Sequence, residues 1–304
     1  MSSIGNSDVH YIKNFYQDEI RDGFLVTAYR KKVFETYLKI WKEFDRICSK
    51  YNLKYWAAYG TLLGIEHYSG FIPWDDDMDF YMFRPDYNTL TEVIYDNLNP
   101  DFNVYIDIPT FLKIGYNNST ILCVDKKDNK SYSGLILDIT PLDILPDGKD
   151  ETKTYVNRLC EYMNIYWSNI EKDKYQTKFE NILTDEEIDK CFKLKEDNKL
   201  DKYIKDYAFS IFDKSDCVGE LKEYYLNQEI TPDLKLDYNN TLLLDFETIK
   251  LPCPIGYRKI NHNKYGDFKR APRHNHSSLG YLCSVDIPYK EFEKSIDLEL
   301  YKRK

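Results

Sequence analysis

Four aspartates fall within Trp74-Asp75-Asp76-Asp77-Met78-Asp79, between the apolar Phe71-Ile72-Pro73 and the run Phe80-Tyr81-Met82-Phe83. In a strand, residues two apart share a face, so Asp77 and Asp79 point one way while Met78 and Phe80 point into the core. At about 7 Å, two carboxylates repel by roughly 2–3 kcal/mol at an effective dielectric near 20. A cation offsets that cost. Oxygen-only ligands favour Mg²⁺ or Mn²⁺ over zinc. Asp138, the lone acid in Leu135-Ile136-Leu137-Asp138-Ile139, is the expected third ligand, because a buried carboxylate needs a partner.

The aspartates also admit rival readings. A solvated charge run fits poorly between two apolar runs. An EF-hand loop would place Asp75, Asp77 and Asp79 at positions one, three and five, but Phe80 stands where that loop needs Gly and Asp86 where it needs Glu. A sugar-nucleotide glycosyltransferase of the D-x-D kind would also bind a divalent ion, yet it leaves Gly60-Thr61 unexplained. A calcium-dependent glycan-binding module is the reading outside enzymes.

The elements that must position these residues follow from periodicity. Val33, Tyr37, Ile40, Trp41, Phe44, Ile47 and Cys48 recur at three- and four-residue steps and predict an amphipathic helix over 29–51. Leu53 to Tyr59 reads as a strand ending at Gly60, and Thr61 to His67 as a short helix, so Gly60-Thr61 sits at a strand-to-helix junction. Met78 to Met82 predicts a strand and Pro85 to Leu98 a helix with Pro at its start. Strands are expected over 103–108, 111–116 and 120–124, and a buried strand over Gly134 to Pro141. Asp143, beyond that proline, is expected to cap the following turn. From Asp150 to Leu226 the pattern is helical. Thereafter come a strand over 241–249, a loop over Pro252-Cys253-Pro254-Ile255-Gly256, and a closing helix from Tyr289.

Together these predict an α/β (α+β) mixed-sheet core flanked by helices, with a helical insertion. The expected divisions are 1–149 for the core, 150–231 for the insertion, and 232–304 for a part completing the core and site. The 304 residues are 42% hydrophobic and 31% charged, with 28 Tyr and 16 Phe, which suits a packed globular chain. A net charge of −9 argues against a nucleic-acid partner held by bulk electrostatics. The seven scattered cysteines, the lack of an apolar leader and the lack of a long apolar run point to a cytoplasmic setting. Lys302-Arg303-Lys304 leaves room for peripheral contact at the inner face of a membrane.

Gly60-Thr61-Leu62-Leu63-Gly64 followed by Gly70-Phe71-Ile72-Pro73-Trp74-Asp75-Asp76-Asp77-Met78-Asp79 resembles the hallmark of the LicD family of phospho-alcohol transferases, similar to fukutin and fukutin-related protein. The resemblance extends to Leu137-Asp138-Ile139-Thr140-Pro141-Leu142-Asp143 and to Tyr265-Gly266-Asp267, leaving out the helical middle. It implies a nucleotidyltransferase-like fold, with Gly60 and Thr61 on a phosphate and Asp77, Asp79 and Asp138 catalytic and at the metal. Trp74 and Asp75 are expected on the substrate side. It further implies a CDP-linked donor such as CDP-choline, a glycan or lipid-linked glycan acceptor, and release of CMP.

The residues agree with that chemistry. Phosphoryl transfer needs cations for developing charge, donors on the phosphate and a group that orients the attacking hydroxyl, and a helix start at Gly60 offers backbone N–H groups to an anion. Asp138 suits either metal or proton. Lys264, Lys269, Arg270, Arg273 and His274 form a local basic cluster expected to clamp the donor diphosphate, although Arg270-Ala271-Pro272 stands where the family often has Pro-Pro. His67 reads as a structural hydrogen-bonding residue, and His274 with His276 lacks further ligands for zinc. Tyr59, Trp56, Trp74 and Tyr81 are candidates for an aromatic cage around a trimethylammonium group.

Overall fold

The computed structural model describes residues 15–75, 77–108, 111–124, 130–180, 182–211, 215–221, 231–267 and 283–291. A hairpin, β1 (Glu19–Arg21) and β2 (Phe24–Val26), leads into α1 (Ala28–Tyr51). The Thr27 side chain accepts from the Arg30 N–H at the start of α1, and Asn52 closes it in a left-handed conformation. Next come β3 (Trp56–Ala57), α2 (Tyr59–Tyr68), β4 (Met78–Phe83) and α3 (Arg84–Asn97). They are followed by β5 (Phe102–Ile108), β6 (Phe111–Tyr116), β7 (Thr120–Val124), β8 (Lys130–Ser133) and β9 (Ile136–Leu145).

Three helices come next: α4 (Lys149–Trp167), α5 (Asp185–Glu196) and α6 (Leu200–Phe209). The chain then forms β10 (Cys217–Gly219), β11 (Asp233–Leu234), β12 (Thr241–Phe246) and β13 (Ile249–Pro254). Finally come α7 (Tyr257–Tyr265) and β14 (Cys283–Ser284). The architecture is mixed α/β.

The main sheet runs β11-β10-β9-β4-β3, with β6 also on β9 and β5 on β6. β4 and β9 are parallel, pairing Met78 with Leu137 and Asp79 with Asp138 through to Phe83 with Leu142. Alternation then fixes two faces. Met78, Phe80, Met82, Leu137 and Ile139 are fully buried on the face toward α1, where Phe80 meets Phe44 with ring centroids 5.5 Å apart. Each such side chain contributes about 1.5–3 kcal/mol. Asp79, Tyr81, Asp138 and Thr140 share the opposite face. Among the described residues, no helix is long and apolar enough to cross a membrane.

Four expectations change. The strand over 53–59 shrinks to β3, because Tyr59 turns left-handed at φ 43° and opens α2. β9 does not stop at Pro141. That proline falls where β9 has left β6, last paired at Ile139, and has not yet met β10, first paired at Asp143, so its missing N–H disturbs neither antiparallel ladder. The stretch read as helical to Leu226 contains β10, which pairs with the end of β9. The loop over Pro252-Cys253-Pro254 is the second strand of the β12–β13 hairpin. Of the closing helix, only residues as far as Glu291 lie within the described part.

Candidate active site

α2 begins on the Asp79 face of the sheet. No side chain caps its N-terminus, so its first-turn N–H groups point where an anion can meet them. Thr61 is 3% exposed, and its hydroxyl accepts the Asp79 backbone N–H at 3.0 Å. Gly60 lies against Asp75, whose Oδ2 would collide with any Cβ built there. Gly64 allows α2 to approach the Gly70 carbonyl in the same way. The glycines of this block therefore answer to close packing.

The loop carrying the aspartates is clamped from two sides. Arg21 donates to the Phe71 carbonyl at 3.0 Å and pairs with Glu247 at 2.5 Å, and Glu247 accepts the Phe71 N–H at 3.0 Å. Arg30 donates to the Asp75 carbonyl at 2.7 Å. Trp74, only 3% exposed, packs edge-on against Phe24 and Tyr68 and forms a wall beneath the loop.

Asp75, Asp77, Asp79 and Asp138 are each half-buried. The register sets Asp79 beside Asp138 on neighbouring strands and Lys113 of β6 on the other side of Asp138. Lys113 Nζ is 3.9 Å from Asp138 Oδ1. From α7, Tyr265 reaches the same place, and burial, then the charges of Asp79, Asp75, Glu220 and Asp77, push its phenol above the usual range. One phenol thus feels three of the aspartates from the opening motif.

The oxygen-only donor set of Asp77, Asp79 and Asp138 suits a hard divalent cation. Among the described residues, no three Asp, Glu, His or Cys side chains converge closely enough to hold a metal ion. Like charges repel, and Lys113 engages Asp138. Asp76, Lys269, Arg270, Arg273, His274 and His276 lie outside the described residues. His67 sits in the last turn of α2 beside Tyr68, away from the end that carries Gly60.

Of the four aromatics expected to form one cage, Trp56 faces Tyr81 across β3 and β4 and Trp74 stands apart. Tyr59 and Tyr81 adjoin at 5.3 Å. Trp56 packs against Phe83 and Tyr238 and donates to Thr241 at 2.9 Å, while Trp74 belongs to the loop wall. The space over the Tyr59 ring is taken by the Lys264 ammonium, 3.9 Å from its centroid. Asp143 also departs from expectation. Five positions from Asp138 it falls on the α1 face, wholly buried, where Arg84 engages both its oxygens at 2.6 and 2.5 Å. It is no turn cap, and from that face it cannot join Asp79.

Sequence reasoning missed Glu220 altogether. Its side chain is 4% exposed and bound to Lys264 at 2.6 Å. It comes from beyond the helical middle, and only the sheet pairing of β10 brings it to the site. Its burial beside Val218 and Leu221 shows only in the fold, so no sequence signal marked it.

The uncapped start of α2, Asp79 of β4 and Asp138 in register with it on the parallel β9 all fall within one stretch that resembles a known family. Residues 52–146 match the family model described as LicD/FKTN/FKRP, nucleotidyltransferase domain. Over 67 residues the chain is 37% identical to the lipopolysaccharide cholinephosphotransferase LicD of Haemophilus influenzae, covering 22% of this chain and 25% of that protein. It is 28% identical over 195 residues to an uncharacterized protein of Rickettsia prowazekii, covering 64% of this chain and 55% of that one. A third relative, an uncharacterized protein of Rickettsia typhi, is 26% identical over 149 residues, covering 46% and 42%. The matches span between about a quarter and about half of these relatives' lengths.

The Gly60 contact supports a direct prediction. Gly60→Ala forces the Asp75 carboxylate to swing aside at the start of α2. The expected result is a folded protein, by circular dichroism, with nucleotide binding weakened at least about tenfold. Calorimetry giving unchanged binding would place the phosphate elsewhere.

Proposed function

We propose that this chain is a divalent-metal-dependent phosphotransferase that moves a phospho-alcohol, phosphocholine foremost, from a CDP-linked donor to a hydroxyl of a cell-surface glycan. The observation that carries the reading is the Asp79–Asp138 register pair beside the α2 start, inside the stretch that matches the LicD-type domain. The hydroxyl oxygen attacks the phosphorus bearing the alcohol, the bond to the CMP phosphate breaks, and CMP leaves with the electron pair. Asp77, Asp79 and Asp138, which do not by themselves converge on an ion, would have to draw in around Mg²⁺ or Mn²⁺ together with the donor's phosphate oxygens, and the ion would then supply charge neutralisation to the phosphates.

The chain's own groups do the positioning. Thr61 ties the phosphate turn to β4 through the Asp79 N–H. Asp138, on the same face, stands where it can take the hydroxyl proton or complete the cation's shell. Tyr265, with its phenol held protonated, is a neutral donor for a phosphate oxygen.

The test is a donor screen with Mg²⁺ and Mn²⁺: CDP-choline, CDP-glycerol, CDP-ribitol and a panel of sugar nucleotides, scored by the nucleotide released. CMP from a CDP-alcohol, lost on chelation, is expected. Nucleotide release from a sugar donor alone would make the protein a D-x-D glycosyltransferase. Calcium-dependent glycan retention without turnover would make it a binding module.

A further inference from the structure

Residues 52–146 leave out the stretch around β10, yet that stretch returns one side chain to the site. β10 pairs Gly219 with Asp143 of β9, and Glu220 follows, 3% exposed. Its carboxylate accepts from the hydroxyls of Tyr59 and Tyr81 and from Lys264 Nζ. Lys264 supplies the countercharge that a buried carboxylate requires, and its ammonium lies over the Tyr59 ring.

Tyr59 is the unusual member of this cluster. Its φ of 43° is left-handed, a conformation that a bulky side chain adopts only when its surroundings impose it. Gly60 and Thr61 come directly after it, so the backbone of Tyr59 sets the direction of their amides. Outside the helix ladder, the main chain at this corner is tied by Ala58 N–H on the Asp79 carbonyl at 3.0 Å and by Leu62 N–H on the Ala58 carbonyl at 2.9 Å, on either side of the Tyr59 side chain that opens α2. Its ring is held by Tyr81 and Lys264, and its hydroxyl by Glu220.

We propose that Glu220 is the positioning residue of the phosphate turn: through the Tyr59 hydroxyl it holds residue 59 left-handed and so aims the Gly60 and Thr61 amides at the donor's phosphate. The proposal rests on the phosphotransferase reading for its ligand but not for its mechanics. It gives the segment after the helical middle a role in the site.

The test is a double-mutant cycle. Glycine adopts the left-handed conformation without penalty, so at position 59 it needs no strut. CDP with Mg²⁺ is the calorimetric probe, and hydrogen exchange at the Leu62 amide reports the turn without any ligand. Glu220→Gln is expected to weaken CDP binding about tenfold and to speed Leu62 exchange. In the Tyr59→Gly background, Glu220→Gln should change CDP binding less than about twofold and leave exchange unaltered.

Equal losses in both backgrounds would mean that Glu220 acts by another route, and the proposal would fall. Wild-type affinity in Glu220→Gln would overturn it as well. Were the wild type not to bind CDP, the phosphotransferase reading would fail by itself, and the exchange cycle would still decide the strut. Tyr59→Phe, which deletes only the hydroxyl, gives the same readouts should Glu220→Gln not fold, and an unchanged Leu62 exchange rate there counts against the proposal.

Discussion

Asp138→Asn is expected to fold and to release CMP from its donor at a rate lower by about two or more powers of ten, the usual loss when a positioned acid–base group is removed. The argument is geometric. Asp138 stands in register with Asp79 on the parallel neighbour and meets Lys113 on the other side, so its carboxylate belongs to the face where α2 starts. As an amide it keeps the shape but loses the charge that holds a cation and the basicity that takes a proton, so both assignments of its role predict the same loss.

Asp143→Asn is the control. It lies on the opposite face under Arg84 and should cost stability while leaving the rate of the folded fraction near that of the wild type. Steady-state assays at saturating Mg²⁺, with folding followed by circular dichroism, separate the two. An active Asp138→Asn beside a dead, folded Asp143→Asn would assign the chemistry to Asp143 instead.

What was readable in advance depended on how far apart in sequence the interacting groups stand. α1 was marked by its own three- and four-residue spacing and is found within one residue of the expected start. The placing of Asp79 and Asp138 on one face needed only strand alternation and one parallel pairing. Strand ends were harder. Pro141 signals a stop by local rule, and only the switch of partners from β6 to β10 explains why β9 passes through it.

Glu220 lay beyond local reading for a similar reason: 161 positions separate it from Tyr59, and no periodicity encodes a contact of that kind. Lys264 was visible as one of several cations, but its carboxylate partner was not, so a charge that looked available for a diphosphate is found on Glu220. The aromatic residues near the motif misled in the same way. Proximity in sequence put Trp56 and Trp74 with Tyr59 and Tyr81, and the fold divides them between the sheet face and the loop wall.

The largest stability effect is expected from Arg84→Met. Arg84 opens α3, and its guanidinium meets Asp143 through two bonds, with the two side chains 7% and 0% exposed. Removing one partner of such a pair leaves a buried charge uncompensated and typically costs about 3–5 kcal/mol, whereas replacing both with apolar groups of similar volume is often neutral. Urea unfolding should therefore show Arg84→Met strongly destabilised and Arg84→Met/Asp143→Leu largely restored.

The pH dependence adds a second signature. Burial raises the Asp143 carboxyl while Arg84 pulls it back. Without Arg84 only burial acts, so the folded pKa stands well above the unfolded value of about 3.9. A group raised in this way stabilises the fold below its unfolded pKa and loses that contribution as pH climbs through the folded one. The deficit of Arg84→Met relative to wild type should thus be smaller at pH 5 than at pH 8, and the double variant should lack this slope. A single variant within about 1 kcal/mol of wild type at both pH values would mean that the pair is energetically idle.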